Sequence, residues 1–184
     1  MTERLFFAIR PDAATAQRIE ALTQALRQAH GLDGRSLGTD RFHVTLHLIG
    51  DFAGAVPPHV VQGAIDAARP VAAHTALFRI GFDQVASFTR KRRNMPLVLL
   101  GGDGVGGVAR LQAVLVAALI AAQLAPAQAA QAGYTPHLTL LYDDLPMAPR
   151  PIDAIIWKAN ELLLVRSLLG QSRHEVLARL PLRG

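Results

Sequence analysis

His43 and His137 each stand two residues before a threonine, in the tetrapeptides His43-Val44-Thr45-Leu46 and His137-Leu138-Thr139-Leu140, 94 positions apart in a chain of 184 residues. Imidazole titrates near pH 6.5, so at neutral pH one histidine can accept a proton as a base while its partner donates one as an acid. Displacement at phosphorus needs that pairing: an activated attacking oxygen on one side and a protonated leaving oxygen on the other. Each proton transfer contributes roughly 10² to 10⁴, so two lower the barrier by at most about 5 to 11 kcal/mol, less whatever non-additivity removes. The hydroxyls of Thr45 and Thr139 suit the non-bridging phosphate oxygens. No metal is demanded. With 7 His, 9 Thr and 27 Leu, a shuffled chain holds about 0.05 copies of His-x-Thr-Leu, so two copies point to duplication.

For this chemistry each tetrapeptide has to be a strand. Period-2 alternation then aims His and Thr at one face and Val44, Leu46, Leu138 and Leu140 at the other. Around them the pattern predicts a buried strand at Leu5 to Ile9, then a helix capped by Asp12, striped by Ile19, Leu22 and Leu26, and stopped at Gly31. A strand from Phe42 to Ile49 carries the first motif and closes at Gly50-Asp51. A short helix follows Pro57-Pro58 and ends before Pro70. Leu77 to Phe88 reads as a bent strand or strand pair, Pro96 to Leu100 as a strand, and Val105 to about Leu124 as an Ala- and Leu-rich helix. An Ala/Gln connector leads to the second motif strand, Tyr134 to Tyr142. Strand-like runs at Glu161 to Arg166 and Glu175 to Leu180 finish the chain. This order predicts an α+β fold in two comparable halves, with residues 1–184 forming a single domain.

Composition narrows the setting. Hydrophobic residues make up 51% of the chain, enough for one good core. Cysteine is absent, which removes disulfides and thiolate metal sites and suits a reducing cytoplasm. The apolar run after Arg4 is too short for a signal-peptide core, and Ala113 to Ala122 is about half of what a bilayer requires, so neither export nor a membrane is expected. A net charge of +5 and a pI near 10.7 favour polyanionic partners.

Secondary candidates follow. Phe88 beside Arg90-Lys91-Arg92-Arg93 could stack on a base while the cations hold phosphates; the alternative is a solvated loop with Phe88 in the core. His47 shares the alternation face of His43 and Thr45 and so could reach the same groove. Gly102-Asp103-Gly104-Val105-Gly106-Gly107 has G-x-G-x-x-G spacing, but the acidic residue expected about 20 positions on is missing, so the glycines are expected to serve a turn and no dinucleotide cofactor is expected. His43 and His47 have zinc-helix spacing on a segment that reads as strand, so no metal is expected.

The paired motifs, the opening Arg4-Leu5-Phe6-Phe7-Ala8-Ile9, the run from Arg41 through Leu46 into Leu48-Ile49-Gly50-Asp51, and Tyr134-Thr135-Pro136-His137-Leu138-Thr139-Leu140 resemble the two-histidine (2H) phosphoesterases. The branch they are most similar to is the LigT-like RNA 2′,3′-cyclic phosphodiesterases, also called 2′-5′ RNA ligases. The resemblance implies two pseudo-symmetric lobes, each an antiparallel sheet with helices on its outer side, facing a central groove. It also implies metal-independent opening of a 2′,3′-cyclic phosphate on an RNA or oligonucleotide end to leave a 2′-phosphate, without cofactor and with the protein as a monomer. Carried over by position, His43 protonates the departing 3′ oxygen, His137 activates water, and Thr45 and Thr139 bind the phosphate. Joining RNA halves by 2′-5′ ligation is the same ring opening with a 5′-hydroxyl attacking in place of water. Two other readings stay open: a 2H enzyme for a small cyclic nucleotide such as an ADP-ribose cyclic phosphate, and an RNA-end-binding protein with little turnover. The chain departs from many relatives after the second motif, where they carry an arginine and it has Leu141-Tyr142-Asp143-Asp144. Strict alternation puts Tyr142 on the face opposite Thr139, and only a bulge would bring it into the groove.

Overall fold

A computed structural model describes residues 2–90, 92–171 and 173–184. In chain order the elements are β1 (Thr2–Ile9), α1 (Ala13–His30), β2 (Val44–Ala53), α2 (Pro58–His74), β3 (Phe78–Ser87), β4 (Met95–Leu100), α3 (Gly106–Ala121), β5 (His137–Asp143), β6 (Arg150–Ala159), β7 (Glu161–Leu168) and β8 (Arg173–Pro181). Short 3-10 turns occupy Asp103–Val105 and Ala127–Gln131. The strands lie in the order β6-β3-β4-β5-β2-β1-β7-β8, and neighbouring strands pair antiparallel throughout. At the centre β5 and β2 share one register pair, Val44 with Leu138. Two four-stranded halves therefore meet at a single point, and that point lies between the two motifs.

The helices cover one face. Ile19 and Leu26 of α1, Ala64 and Ala68 of α2, and Val108, Leu111, Leu115 and Leu119 of α3 are buried with Leu5, Phe7, Ile9, Val44, Leu138 and Leu140 of the strands in the main core. The opposite face holds a small cluster, Phe6, Ala8, Leu163 and Val165, and is otherwise left to the groove. Asp12 caps α1 as expected, its carboxylate accepting from the Thr15 N–H at 2.8 Å, and Gly31 ends the helix at φ +63. Asp103–Ala121 has the length and apolarity to cross a membrane; in the fold its apolar stripe packs on the sheet.

Three segments differ from the sequence reading. β2 runs on through Gly50 to Ala53, because β1 pairs with it from Ile9 back to Thr2. α2 continues past Pro70 to His74; Pro70 forfeits one ladder bond, but burial of Val71 and Ala72 and a bond from the Thr75 hydroxyl to the Val71 carbonyl at 2.7 Å hold the last turn. β6 is an edge strand that the sequence pattern does not announce. Its alternation is confined to Ile155, Trp157 and Ala159, which are buried, and is masked by Ile156 between them and by Pro151, which only an edge tolerates.

The glycine-rich turn before α3 has a packing reason. A Cβ on Gly101 or Gly104 would sit 2.3 or 2.6 Å from the Gly81 carbonyl oxygen, and one on Gly107 would sit 2.4 Å from the Phe78 ring. The turn lies directly on β3, and its glycines are what that closeness requires.

Candidate active site

His43 immediately precedes β2 and His137 opens β5. Because Val44 pairs with Leu138 in antiparallel register, His43 comes level with Thr139, and Thr45 with His137. Each histidine is thus opposed by the other motif's threonine. The burial alternation agrees: Val44, Leu46, Leu138 and Leu140 are buried, while His43, Thr45, His137 and Thr139 are half-exposed.

Both rings are held in the same way. The Nδ1 of His43 lies 2.6 Å from the Arg41 carbonyl oxygen, and that of His137 lies 2.7 Å from the Thr135 carbonyl oxygen. A carbonyl only accepts, so each Nδ1 carries the hydrogen and Nε2 is the nitrogen free for the groove. Each ring also has a phenylalanine against it: Phe6 beside His43 at 5.1 Å between centroids, and Phe88 edge-on to His137 at 5.0 Å.

The two strands share an irregularity. Along β1, Ala8 pairs with Thr45 and Phe7 with His47, skipping Leu46; along β4, Val98 pairs with Thr139 and Leu97 with Leu141, skipping Leu140. The same bulge follows both motifs. Registered neighbours share a face, and Phe7 is fully buried in the main core, so His47 is turned off the groove face that strict alternation would give it. Leu48 takes its place, lining a small cleft with Arg4, Phe6 and Thr45. In β5 the bulge turns Tyr142, 43% exposed, onto the face of Thr139, within electrostatic reach of Arg4. Alternation alone had both residues on the wrong face.

The basic loop divides. Phe88 and Arg90 join Ser87, Thr89, Gly133, Tyr134, Thr135 and His137 around a cleft of about 630 Å³. Arg92 and Arg93 are exposed to solvent, and Lys91 lies outside the described residues. Tyr134 ties the halves together, its buried hydroxyl donating to the Thr45 carbonyl at 2.9 Å. Burial raises its pKa and keeps the proton in place.

Sequence reasoning missed the neighbours of His43. His174 on β8 sits 5.3 Å from the His43 ring and 5.6 Å from Phe6, edge-on to both. It comes from three strands away, and no local pattern links it to the motif; Phe6 read only as a buried strand residue. Burial, opposed by the bond to the Arg41 carbonyl and assisted by the charges of Arg10, Arg41 and His137, lowers the pKa of His43 to about 4. Burial, then His43, Arg41 and Arg10, lowers that of His174 to about 4 as well.

A sequence model of the 2′-5′ RNA ligase superfamily matches residues 11–168. Among solved structures, TT0787 of Thermus thermophilus is similar at 21% identity over 98% of each chain, with a TM-score of 0.77. E. coli LigT in its apo form is similar at 22% identity, over 100% of this chain and 99% of that one, with a TM-score of 0.77. LigT complexed with 3′-AMP gives 22% identity over the whole of both chains and a TM-score of 0.76. At these identities the likeness is one of fold. No curated protein matches the chain.

Proposed function

The chain belongs to the 2′-5′ RNA ligase superfamily of 2H phosphoesterases, and we propose that it opens 2′,3′-cyclic phosphate ends of RNA or oligonucleotides to 2′-phosphates, with His43 and His137 as the acid–base pair. The observation that carries this reading is the matched fixing of the two rings. Each Nδ1 is spent on a carbonyl two residues upstream, so two Nε2 atoms serve one groove at the junction of the half-sheets.

In the forward direction His137 takes a proton from water as its oxygen attacks phosphorus. The bond from phosphorus to the 3′ oxygen breaks, and His43 gives that oxygen a proton. Thr45 and Thr139 donate to the non-bridging oxygens, whose charge grows in the transition state. The His43 ring is neutral at pH 7 in the free protein, its one hydrogen on Nδ1 and its Nε2 bare. To act as the acid it has to be loaded when the substrate binds, and an anion against the ring that offsets Arg10 and Arg41 does this. With a 5′-hydroxyl in place of water as the attacking oxygen, the same steps break the bond to the 3′ oxygen and leave a 2′-5′ phosphodiester, which is ligation.

The groove supports an RNA or nucleotide substrate. Phe88 offers a stacking face and Arg90 a phosphate partner in the larger cleft. E. coli LigT has been crystallised with 3′-AMP, ATP and phosphate, all of which carry the phosphate chemistry expected here. A second reading, a small cyclic nucleotide as substrate, is favoured by the cleft volume, which is the size of a small-ligand site.

The test is hydrolysis of a dinucleotide ending in a 2′,3′-cyclic phosphate, in chelator, with the product's phosphate position read by NMR. Wild type yields the 2′-phosphate; His43→Ala and His137→Ala each lower kcat by about 10² or more. Unchanged rates in both variants refute the mechanism. RNA binding without turnover refutes the enzyme, and a mononucleotide turned over faster than the dinucleotide selects the small-substrate reading.

A further inference from the structure

The His43 side of the groove is more cationic than one phosphate requires. Arg10 follows β1 on the alternation face of Phe6 and Ala8, Arg41 precedes His43 by two residues, and the His174 ring packs against His43 and Phe6. Nε and Nη2 of Arg10, Nε of Arg41 and Nδ1 of His174 are all buried without a hydrogen-bond partner. A buried unmet donor costs about 1–3 kcal/mol, and three arginine N–H donors beside an unpartnered His174 ring nitrogen call for an acceptor that the protein does not itself supply. Among the described residues neither Arg10 nor Arg41 forms a salt bridge. The carboxylates within electrostatic reach of Arg10 are Asp40 and Glu161; Asp40 is exposed, and Glu161 is paired with Arg179.

This cluster is displaced from the reacting centre. Thr139 and His137 lie on the β5 side of His43, whereas Arg10 and His174 lie on the β1 and β8 side. It therefore serves a second anionic group of the same substrate. On a ribose whose 2′ and 3′ oxygens are both in the cyclic phosphate, the remaining sugar oxygen that can bear phosphate is the 5′ oxygen.

We propose that Arg10, Arg41 and His174 form a second anion subsite beside His43 that takes the phosphate on the 5′ oxygen of the nucleoside whose cyclic phosphate is opened. This rests on the cyclic-phosphodiesterase reading above. The anion is either the last internucleotide phosphate of an RNA end or the terminal 5′-phosphate of a mononucleotide. Burial does most to keep the His43 ring neutral and the charges of Arg10 and Arg41 add to it; an anion beside them offsets that added part and so helps to load the acid.

The experiment compares kcat/KM on three probes: adenosine 2′,3′-cyclic phosphate, the same compound with a 5′-phosphate, and an adenylyl dinucleotide ending in the cyclic phosphate. Wild type prefers at least one 5′-phosphorylated probe to the first by about tenfold or more, and which one it prefers identifies the source. In Arg10→Gln and His174→Gln that ratio falls to about threefold or less, while Arg10→Lys keeps most of it. Absence of preference in wild type, or a ratio unchanged in both glutamine variants, overturns the subsite. If wild type turns over none of the probes, the reaction assignment fails, and the subsite is judged by calorimetry with adenosine 5′-phosphate and adenosine. An advantage for the 5′-phosphate in wild type that both glutamine variants lose then supports it; equal binding of the two compounds by wild type, or an advantage retained in both variants, overturns it.

Discussion

Acidification separates the part-buried His43 from the carboxylates that the fold holds in their charged form. His43 titrates at about 4 when folded and near 6.5 in the unfolded chain. At 1.36 kcal/mol for each tenfold in proton affinity, that gap is worth about 3 kcal/mol. The unfolded chain binds the proton more tightly, so stability is full above pH 6.5, declines as pH falls from 6.5 towards 4, and loses nothing more to this group below that. His174 shares the sign, but it is more open to water and contributes less. Asp12, Asp51 and Asp143 are held below their ordinary value of 3.8, and Glu175 below 4.5, so their losses come at still lower pH. The window from 6.5 to 4.5 therefore belongs to the histidines. Urea unfolding followed by the single, buried Trp157 at steps across that window should show wild type losing about 2 kcal/mol that His43→Gln does not lose. Parallel stability curves for the two proteins refute the burial of His43 as the cause. A midpoint near 6 for the His43 ring in an NMR titration refutes it independently.

Three further outcomes follow from single contacts. Gly34→Ala puts a Cβ 2.1 Å from the Tyr142 carbonyl oxygen, so the segment that seals the end of β5 has to shift; a loss of about 1–3 kcal/mol in urea unfolding is expected, and a change within error would contradict the packing. Tyr134→Phe removes the bond to the Thr45 carbonyl; about 1 kcal/mol of stability should go, with kcat falling because Thr45 is less well held, and an unchanged kcat would deny Tyr134 a positioning role. Arg4→Ala breaks a two-pronged pair with Asp51 at 2.7 and 2.8 Å, yet both side chains are about 40% exposed, so thermal melting should register a cost below about 1 kcal/mol.

Much of this site was legible because its signals are local. Two tetrapeptides on strands suffice to name His43, Thr45, His137 and Thr139, and Asp12 with Gly31 suffices to bound α1. What escaped depends on where distant strands meet. His174 reaches His43 only because β8 pairs with β7, which in turn pairs with β1, and nothing in Arg173-His174-Glu175 announces that. The bulges escaped for a different reason. A skipped residue leaves both flanking side chains apolar or ambiguous, so Leu46-His47-Leu48 and Leu140-Leu141-Tyr142 look like ordinary alternation until the partner strand fixes the register. By alternation His47 could reach the groove and Tyr142 only through a bulge; the structure turns His47 away and has the bulge that brings Tyr142 round.

Symmetry of backbone and asymmetry of surroundings are what acid–base work across one phosphorus needs. The two motifs share register, bulge, ring-to-carbonyl bond and phenylalanine neighbour, so the two Nε2 atoms are presented alike. Around that frame the halves diverge. His43 is enclosed by Phe6, His174, Arg10 and Arg41, the two arginines forming no salt bridge among the described residues, whereas His137 borders an open cleft with Phe88 and Arg90. Two identical imidazoles in identical settings would compete for one proton on equal terms. Enclosing one of them in a cationic pocket breaks the tie and makes its proton depend on the anion that binds. On the proposed mechanism, occupancy of the groove then sets the protonation of His43, and the substrate itself completes the acid.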